Sequence, residues 1–245
     1  MALPIVEVPT YELTLPSQDL KVKYRPFLVK EEKVLLIAVE TGDEKEIINA
    51  IVEIVQSCTF DKLNAKELPI FDLEYLFLQI RARSIGEKAK FKILCPDDNK
   101  TYVDTEVDLT KVEVQVEDEH TNKVFIDENR KLGLVFKYPT IESAKMGADM
   151  ENVDTEAMFD ILVQNIDHIF EGDKIYPAKD STNDELKGFL ENLSQQNFEK
   201  MQKFFNTMPV LKHELKVKNP NTNVESTVTL KGLQDFFGSA SPITP

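Results

Sequence analysis

The side chains that most often perform nucleophilic or metal chemistry are few in this sequence, which has two cysteines and three histidines. Cys58 lies at the end of a predicted helix and Cys95 at the end of a predicted strand, and neither belongs to a local motif. We therefore interpret both as small hydrophobes. His120 falls in a predicted solvated turn, His168 on the polar side of a predicted helix, and His213 before a predicted strand. We expect no catalytic residue among these five, because nucleophilic catalysis needs a thiol or hydroxyl beside a base.

Two segments share the layout of a zinc ribbon but lack its ligands. In each, an alternating strand enters a loop rich in Pro, Asn or Asp, and a strand rich in Thr and Val leaves it; the loops are CPDDNK (95–100) and PNTN (220–223). A structural zinc site needs Cys or His pairs at both hairpin mouths. The first loop has only Cys95 and the second has neither residue type. We expect no metal, and we interpret the shared layout as either a faint internal duplication or a chance similarity.

Other patterns that mark small-molecule sites are missing. The glycines are isolated, so no glycine-rich phosphate loop is present. The acidic run at 106–119 lacks the glycine and the oxygen spacing of a calcium loop. We therefore predict no cofactor, no small-molecule substrate and no enzymatic activity. An enzyme whose acidic site is assembled from distant residues is the alternative.

The charge balance restricts the classes of partner. The chain has 29 Lys and Arg against 43 Asp and Glu, a formal net charge of -14. Nucleic acids and anionic membrane surfaces are bound by net positive faces, so we predict that it binds neither. The longest apolar run is well short of the roughly 20 residues that cross a bilayer. Two cysteines in a chain of this size are typical of a reducing cytoplasm.

Hydropathy periods predict an α+β fold. The first half reads as an N-terminal hairpin, three helices and a central antiparallel β section. The second half reads as helices followed by a final β-hairpin, and Glu156–Phe170 reads as one amphipathic helix. We divide the chain into an N-terminal hairpin and helical region, an antiparallel β section, a helical region with a terminal hairpin, and a flexible tail: 1–88, 89–139, 140–237 and 238–245.

The predicted helix in FDLEYLFLQIRARSIGE (71–87) is apolar on two opposite sides. At 100° per residue, Asp72 and Glu74 fall on two thin polar strips that separate two apolar faces. Asp72 is the predicted N-cap and Gly86 the predicted end. The charged residues on these strips need partners, and we predict that Asp72 pairs with an arginine and Glu74 with Arg81. A helix with two apolar faces lies between layers, so its second face meets either this chain's own β section or a partner protein.

Four blocks in a fixed order resemble the baseplate hub proteins of T-even-like contractile-tailed bacteriophages. They are PTYELTLPS, VKYRPFLVKEEKVLLIAVE, IVQSCT and LPIFDLEYLFLQIRARSIGE, and the resemblance is strongest over residues 9–95. It implies a non-enzymatic protein of tail assembly, acting as a subunit of the central hub or as its assembly chaperone. It also implies Cys pairs at the hairpin mouths of some relatives, of which this sequence keeps only Cys95.

The resemblance implies that the partners are other phage baseplate hub proteins. It places the protein in the host cytoplasm during assembly and in the virion tail baseplate. We expect the helix at 71–85 to position the partner, through a set of apolar and basic side chains: Phe71, Tyr75, Leu78, Arg81 and Arg83. The alternative is an unrelated acidic α+β protein-binding module.

Overall fold

A computed structural model describes residues 7–145 and 155–237. The α+β prediction is confirmed in these ranges, where every strand pair is antiparallel. The described residues form two compact units, unit 1 (7–115 with 210–237) and unit 2 (116–145 with 155–209). The predicted tail at 238–245 lies outside the described residues. No helix in the described ranges has both the length and the hydropathy needed to cross a bilayer.

Strands and helices are numbered separately, each in chain order. The strands are β1 (Tyr11–Leu15), β2 (Leu20–Tyr24), β3 (Lys88–Leu94), β4 (Tyr102–Asp108), β5 (Glu113–Gln115), β6 (Lys123–Asp127), β7 (Leu132–Phe136), β8 (Ile166–Glu171), β9 (Lys174–Pro177), β10 (Val210–Lys218) and β11 (Glu225–Lys231). The helices are α1 (Val29–Thr41), α2 (Glu44–Cys58), α3 (Ile70–Ser84), α4 (Ile141–Lys145), α5 (Thr155–Gln164), α6 (Asn183–Glu191), α7 (Gln195–Asn206) and α8 (Gly232–Phe237).

Unit 1 is built around α3. Its strands form the hairpins β1–β2 and β3–β4 and a three-stranded sheet of order β11-β10-β5. Helix α3 contacts α2 and α8 and the strands β1, β5 and β10. Both apolar faces of α3 are buried inside unit 1, represented by Leu76 on one side and Leu78 on the other. The second face of this helix therefore meets the chain's own structure.

Local signals explain where α1 ends and where α2 begins. The Asp43 carboxylate accepts the Lys45 N–H at 2.8 Å and so caps α2. Gly42 ends α1 in the left-handed conformation, at φ 68°, and donates its N–H to the Val39 carbonyl. The predicted cap of α3 was wrong, because Pro69 occupies the N-cap and Asp72 is the third residue of the helix.

Unit 2 is an antiparallel sheet of order β6-β7-β8-β9 with helices packed on it. Its core joins buried side chains of β7 and β8 to those of α5, α6 and α7, among them Phe136, Leu162, Leu190 and Phe204. The Phe136 and Phe204 rings stack with their centroids 4.8 Å apart. This core is the layer between the sheet and its helices, the usual arrangement for an antiparallel sheet covered on one face.

One predicted element of unit 2 was wrong. The expected helix Glu156–Phe170 ends at Gln164, and β8 begins at Ile166. The buried Asn165 lies between the two, and its Nδ2 donates to the Ile161 carbonyl at 2.8 Å, which satisfies a carbonyl at the end of α5. Residues 166–171 then pair with β7 in an antiparallel ladder. The apolar residues of this stretch fit both the helical and the strand period. Hydrogen bonding to β7 makes residues 166–171 a strand.

Candidate protein-binding site

The five predicted partner-binding residues of α3 differ in accessibility. Phe71 is 5% exposed and Leu78 is 0% exposed, so their side chains belong to the core of unit 1. Tyr75 and Arg81 are half-buried. Arg83 is exposed, forms an ion pair with Glu87, and holds its guanidinium carbon 5.0 Å from the centre of the Tyr11 ring. Of the five, Tyr75, Arg81 and Arg83 have solvent-accessible surface.

Arg81 is the unusual member of this set. Burial lowers the pKa of its guanidinium. Within the described part of the chain, Arg81 forms no side-chain hydrogen bond or ion pair. The predicted pairing of Arg81 with Glu74 was wrong, because the Glu74 carboxylate accepts the Leu233 N–H at 3.1 Å. A half-buried guanidinium has five donors to satisfy, and a carboxylate or carbonyl of a partner fits them.

The two acidic residues at the start of α3 fasten other parts of unit 1. Asp72 is fully buried, and its carboxylate accepts the Ser17 N–H at 3.3 Å and the Ser17 hydroxyl, which joins the β1–β2 turn to α3. Burial raises the pKa of Asp72, and the bonds from Ser17 oppose that rise. Burial also raises the pKa of Glu74, to about 7, against the opposing effects of the Leu233 N–H and Lys231. The predicted pairing of Asp72 with an arginine was therefore wrong.

A buried ion pair anchors the start of α1. Glu31 accepts Arg25 Nη2 at 2.8 Å and the Ser57 hydroxyl at 2.9 Å, and its second oxygen accepts the Leu28 N–H at 2.9 Å. Burial raises the pKa of Glu31, but the hydrogen bonds from Arg25, Leu28 and Ser57 outweigh it and lower the pKa to about 2. This network ties α1 to the C-terminal end of α2.

The opposite side of α1 exposes apolar side chains that the sequence interpretation did not single out. Leu36 is 57% exposed, Ile37 52% and Val39 49%, and Val29 at the first turn is 80% exposed. A surface helix usually turns polar residues outward. The signal in the sequence is the run VLLIAV, because six consecutive apolar residues cannot share one face of a helix. We call Val29, Leu36, Ile37 and Val39 the α1 face.

The two predicted loop tips lie against each other in unit 1 and are closed by polar bonds. Asp97 of the first loop accepts Asn219 Nδ2 and the Thr222 hydroxyl of the second. Cys95 is buried beside them, and burial raises the pKa of its thiol. The described residues contain no group of three His, Cys, Asp or Glu placed to hold a metal ion. The Asp97 oxygens are already occupied by these bonds.

The remaining thiol and two of the histidines occupy structural positions. Burial raises the pKa of Cys58 to about 11, so its thiol stays protonated at neutral pH. His120 was predicted in a solvated turn but is half-buried, with Nδ1 2.9 Å from the Thr207 hydroxyl and Nε2 2.9 Å from the Tyr138 hydroxyl. His168 was predicted on a helix but lies on β8.

Unit 2 has an open cleft of about 500 Å³ between the end of its sheet and α5 and α6. Its lining includes Lys137, Lys179 and the pair Asp167–His168, whose Oδ2 and Nδ1 atoms are 2.6 Å apart. A His–Asp pair can act as a general base for a nucleophile. Among the described residues, the lining contains no Ser, Thr or Cys side chain for this pair to activate.

Comparison with known proteins gives one result. The model of the family described as T4 bacteriophage base plate protein matches residues 8–238. Comparison with curated proteins and with solved structures finds no match. The family match spans both units and all the surfaces described above.

Proposed function

Because the chain belongs to the family of T4 bacteriophage base plate proteins, we propose that it acts in assembly of the central hub of the baseplate. In this proposal it is a hub subunit or a hub assembly chaperone, and it works by contacts with other hub proteins in the host cytoplasm. The family is structural, which supports a non-enzymatic role. Family membership also weighs against an unrelated protein-binding module. The observation that carries the contact role is the half-buried guanidinium of Arg81, which no described residue satisfies.

The proposed contact is the edge of α3 that presents Arg81. Tyr75 and Arg83 present surface elsewhere on the helix, because at 100° per residue they lie about 120° and 160° around it from Arg81. Arginine and tyrosine are enriched among residues that dominate binding energy at protein interfaces. Arg83 is already held by Glu87 and Tyr11, so it presents a fixed charge. Arg81 remains open to a carboxylate or carbonyl of the partner. Phe71 and Leu78, which are buried, support this edge from within the core.

The biological role is tested in the phage. Deletion of the gene should stop assembly of the central hub while the other baseplate parts accumulate. Quantitative mass spectrometry of purified wild-type virions then separates the two roles. Stoichiometric peptides from this chain identify a hub subunit, and absence from virions identifies a chaperone. Normal hubs in the deletion strain would contradict the proposal in both forms.

The contact surface is tested separately with Arg81→Gln, which removes the charge but keeps a long polar side chain. Co-expressed hub proteins of the same phage should co-purify with this variant about tenfold less than with the wild type. The matched control is Lys62→Gln, which removes an exposed positive charge elsewhere in unit 1. Both variants should keep the wild-type thermal midpoint. Equal recovery of hub proteins with Arg81→Gln and Lys62→Gln would show that this edge of α3 is not the contact.

A further inference from the structure

We infer that the α1 face binds a second copy of this chain, so that two α1 helices pack antiparallel across a twofold axis. The face is an exposed apolar surface in unit 1, where Leu36, Ile37 and Val39 are each about half exposed. Contiguous apolar surface of this kind marks interaction sites. Leu36 lies on one line along α1 with Val29, Lys33 and Glu40, at intervals of four, three and four residues, so apolar and charged side chains alternate along this line.

The charged side chains of α1 indicate what kind of segment binds the α1 face. Lys30 and Lys33 lie in the N-terminal half of α1, and Glu40 and the capping Asp43 lie at its C-terminal end. All four are exposed. The C-terminal end is made more negative by the helix dipole, and its last turn contains no basic residue. The occupant must therefore be an apolar helix whose acidic end lies over the lysines and whose basic end lies over Glu40.

A second α1 running in the opposite direction meets this requirement. If Leu36 of one copy lies opposite Ile37 of the other, Lys33 lies opposite Glu40, because helix positions whose numbers have the same sum face each other in an antiparallel pair. The twofold axis makes each of these pairs occur twice. The apolar pair at the centre and the opposite charges on either side are self-complementary.

The contact is expected to be weak and reversible. A pair of single helices buries less than the roughly 1,200 Å² of a standard interface. The net charge of -14 on each chain opposes association, but charges separated by more than about 8 Å are largely screened at physiological salt. The close Lys–Glu pairs thus determine which register forms.

The packing of α1 supports this role, because its outward-facing side chains can be substituted without disturbing the contacts that hold the helix to the rest of unit 1. Its inner side is held by the buried Leu35 and Ala38 and by the Arg25–Glu31 ion pair. Substitutions on the outer side therefore test binding separately from folding. This inference does not depend on a role in the hub, because it concerns the purified chain alone.

The test is sedimentation equilibrium of the full chain over a range of concentrations, with a charge-swap cycle. The apparent mass of the wild type should rise with concentration from 28.0 kDa toward twice that mass. Lys33→Glu and Glu40→Lys should each weaken dimerisation about tenfold, because each places like charges opposite each other twice. The double variant K33E/E40K should restore dimerisation, since the opposite charges are then exchanged across the interface.

Replacement of apolar residues by serine provides a second test. The pair Leu36→Ser and Ile37→Ser should abolish dimerisation, while Ile85→Ser, which changes an isoleucine that is 62% exposed elsewhere in unit 1, should leave it unchanged. Circular dichroism confirms that each variant is folded. A wild type that stays monomeric at every concentration, failure of K33E/E40K to restore the dimer, or a dimer that survives the Leu36 and Ile37 changes would overturn the inference. So would a monomer whose α1 face is protected only by another hub protein.

Discussion

Asp97 and Asn219 join two hairpin tips that are 122 residues apart in the sequence, through bonds of 3.0 and 3.1 Å from Asn219 Nδ2 to the two carboxylate oxygens. The tips have the same backbone geometry. Asn99 and Asn223 both adopt a left-handed conformation, and each donates its N–H to the carbonyl four residues before it, at 3.0 and 2.9 Å. Side-chain amide, hydroxyl and carboxylate groups thus close two equivalent turns in the place where a zinc ribbon has its metal.

The first prediction concerns this junction. Asn219→Ala removes both bonds to Asp97 and the acceptor of the Asn221 N–H, and it does so at a position that is 1% exposed. We expect the free energy of unfolding of unit 1 to fall by about 1 kcal/mol, because these hydrogen bonds are lost while their partners Asp97 and Asn221, which are exposed, can bind water instead. Urea denaturation measures this change in the free energy of unfolding. Lys218→Ala, an exposed neighbour, serves as the control, and an equally small effect of both changes would show that the junction adds no stability.

The second prediction concerns the Arg25–Glu31 pair. The Glu31 pKa of about 2 in the folded protein is below the ordinary value of 4.5, so the folded state binds this proton less tightly. The stabilisation is complete above about pH 4.5 and is lost as the pH falls toward 2. Glu31→Ala should lower the free energy of unfolding by about 3 kcal/mol at pH 7, since it leaves Arg25 buried without its partner.

Denaturation of both proteins between pH 7 and pH 3 measures this difference. The gap between the wild type and Glu31→Ala should narrow as the pH falls. The matched control is Glu32→Ala, the neighbouring glutamate of α1, which forms no ion pair among the described residues. A gap that stays constant with pH would mean that Glu31 acts through packing and not through its charge.

The third prediction is that removing a charge stabilises the protein. Glu74 has a pKa of about 7 in the folded state, above its ordinary 4.5. The folded state therefore binds this proton more tightly, and stability falls as the pH rises from about 4.5 through 7. Glu74→Gln keeps an oxygen that accepts the Leu233 N–H but has no charge to bury. Above pH 7 it should raise the free energy of unfolding by up to about 3 kcal/mol.

Thermal unfolding of the wild type and Glu74→Gln at pH 5 and pH 8 measures the effect of this substitution. The variant should be more stable at pH 8 and close to the wild type at pH 5. Glu53→Gln, on the exposed side of α2, should change neither value. Destabilisation by Glu74→Gln at pH 8 would show that the ionised carboxylate is required to hold the start of α8.

The fourth prediction concerns His120 in unit 2. Burial lowers its pKa below the ordinary 6.5, and Glu117 acts in the opposite direction. The folded state therefore resists protonation, and the stability of unit 2 should fall as the pH drops below about 6.5. NMR titration of the imidazole signal should give a midpoint below 6.5, and His120→Gln should weaken the dependence of stability on pH. A midpoint at or above 6.5 would show that burial does not lower the pKa of this ring.

Local patterns in the sequence were enough to predict most elements and the family. The three predicted helices of the first half are present as α1, α2 and α3, and the hairpins β1–β2, β3–β4 and β10–β11 lie where alternation and turn residues predicted them. These features depend on residues within a few positions of one another, so a single sequence contains the needed information. The family resemblance was confirmed because its blocks are contiguous stretches in a fixed order. The formal net charge of -14 identifies an acidic protein, and the absence of nucleic-acid binding stays a prediction.

Long-range packing decided the rest. The two apolar faces of α3 were visible in the sequence, but only the surrounding strands and helices show that both are covered and that Arg81 has no side-chain partner among the described residues. The stretch after Asn165 fits a helix or a strand, and β7 selects the strand because it supplies the backbone partners. Position 31 is an ordinary helix glutamate by sequence. Glu31 forms a buried ion pair only because the fold brings Arg25 and Ser57 next to its carboxylate. These contacts hold one side of α1 against unit 1 and leave the apolar α1 face outside the core.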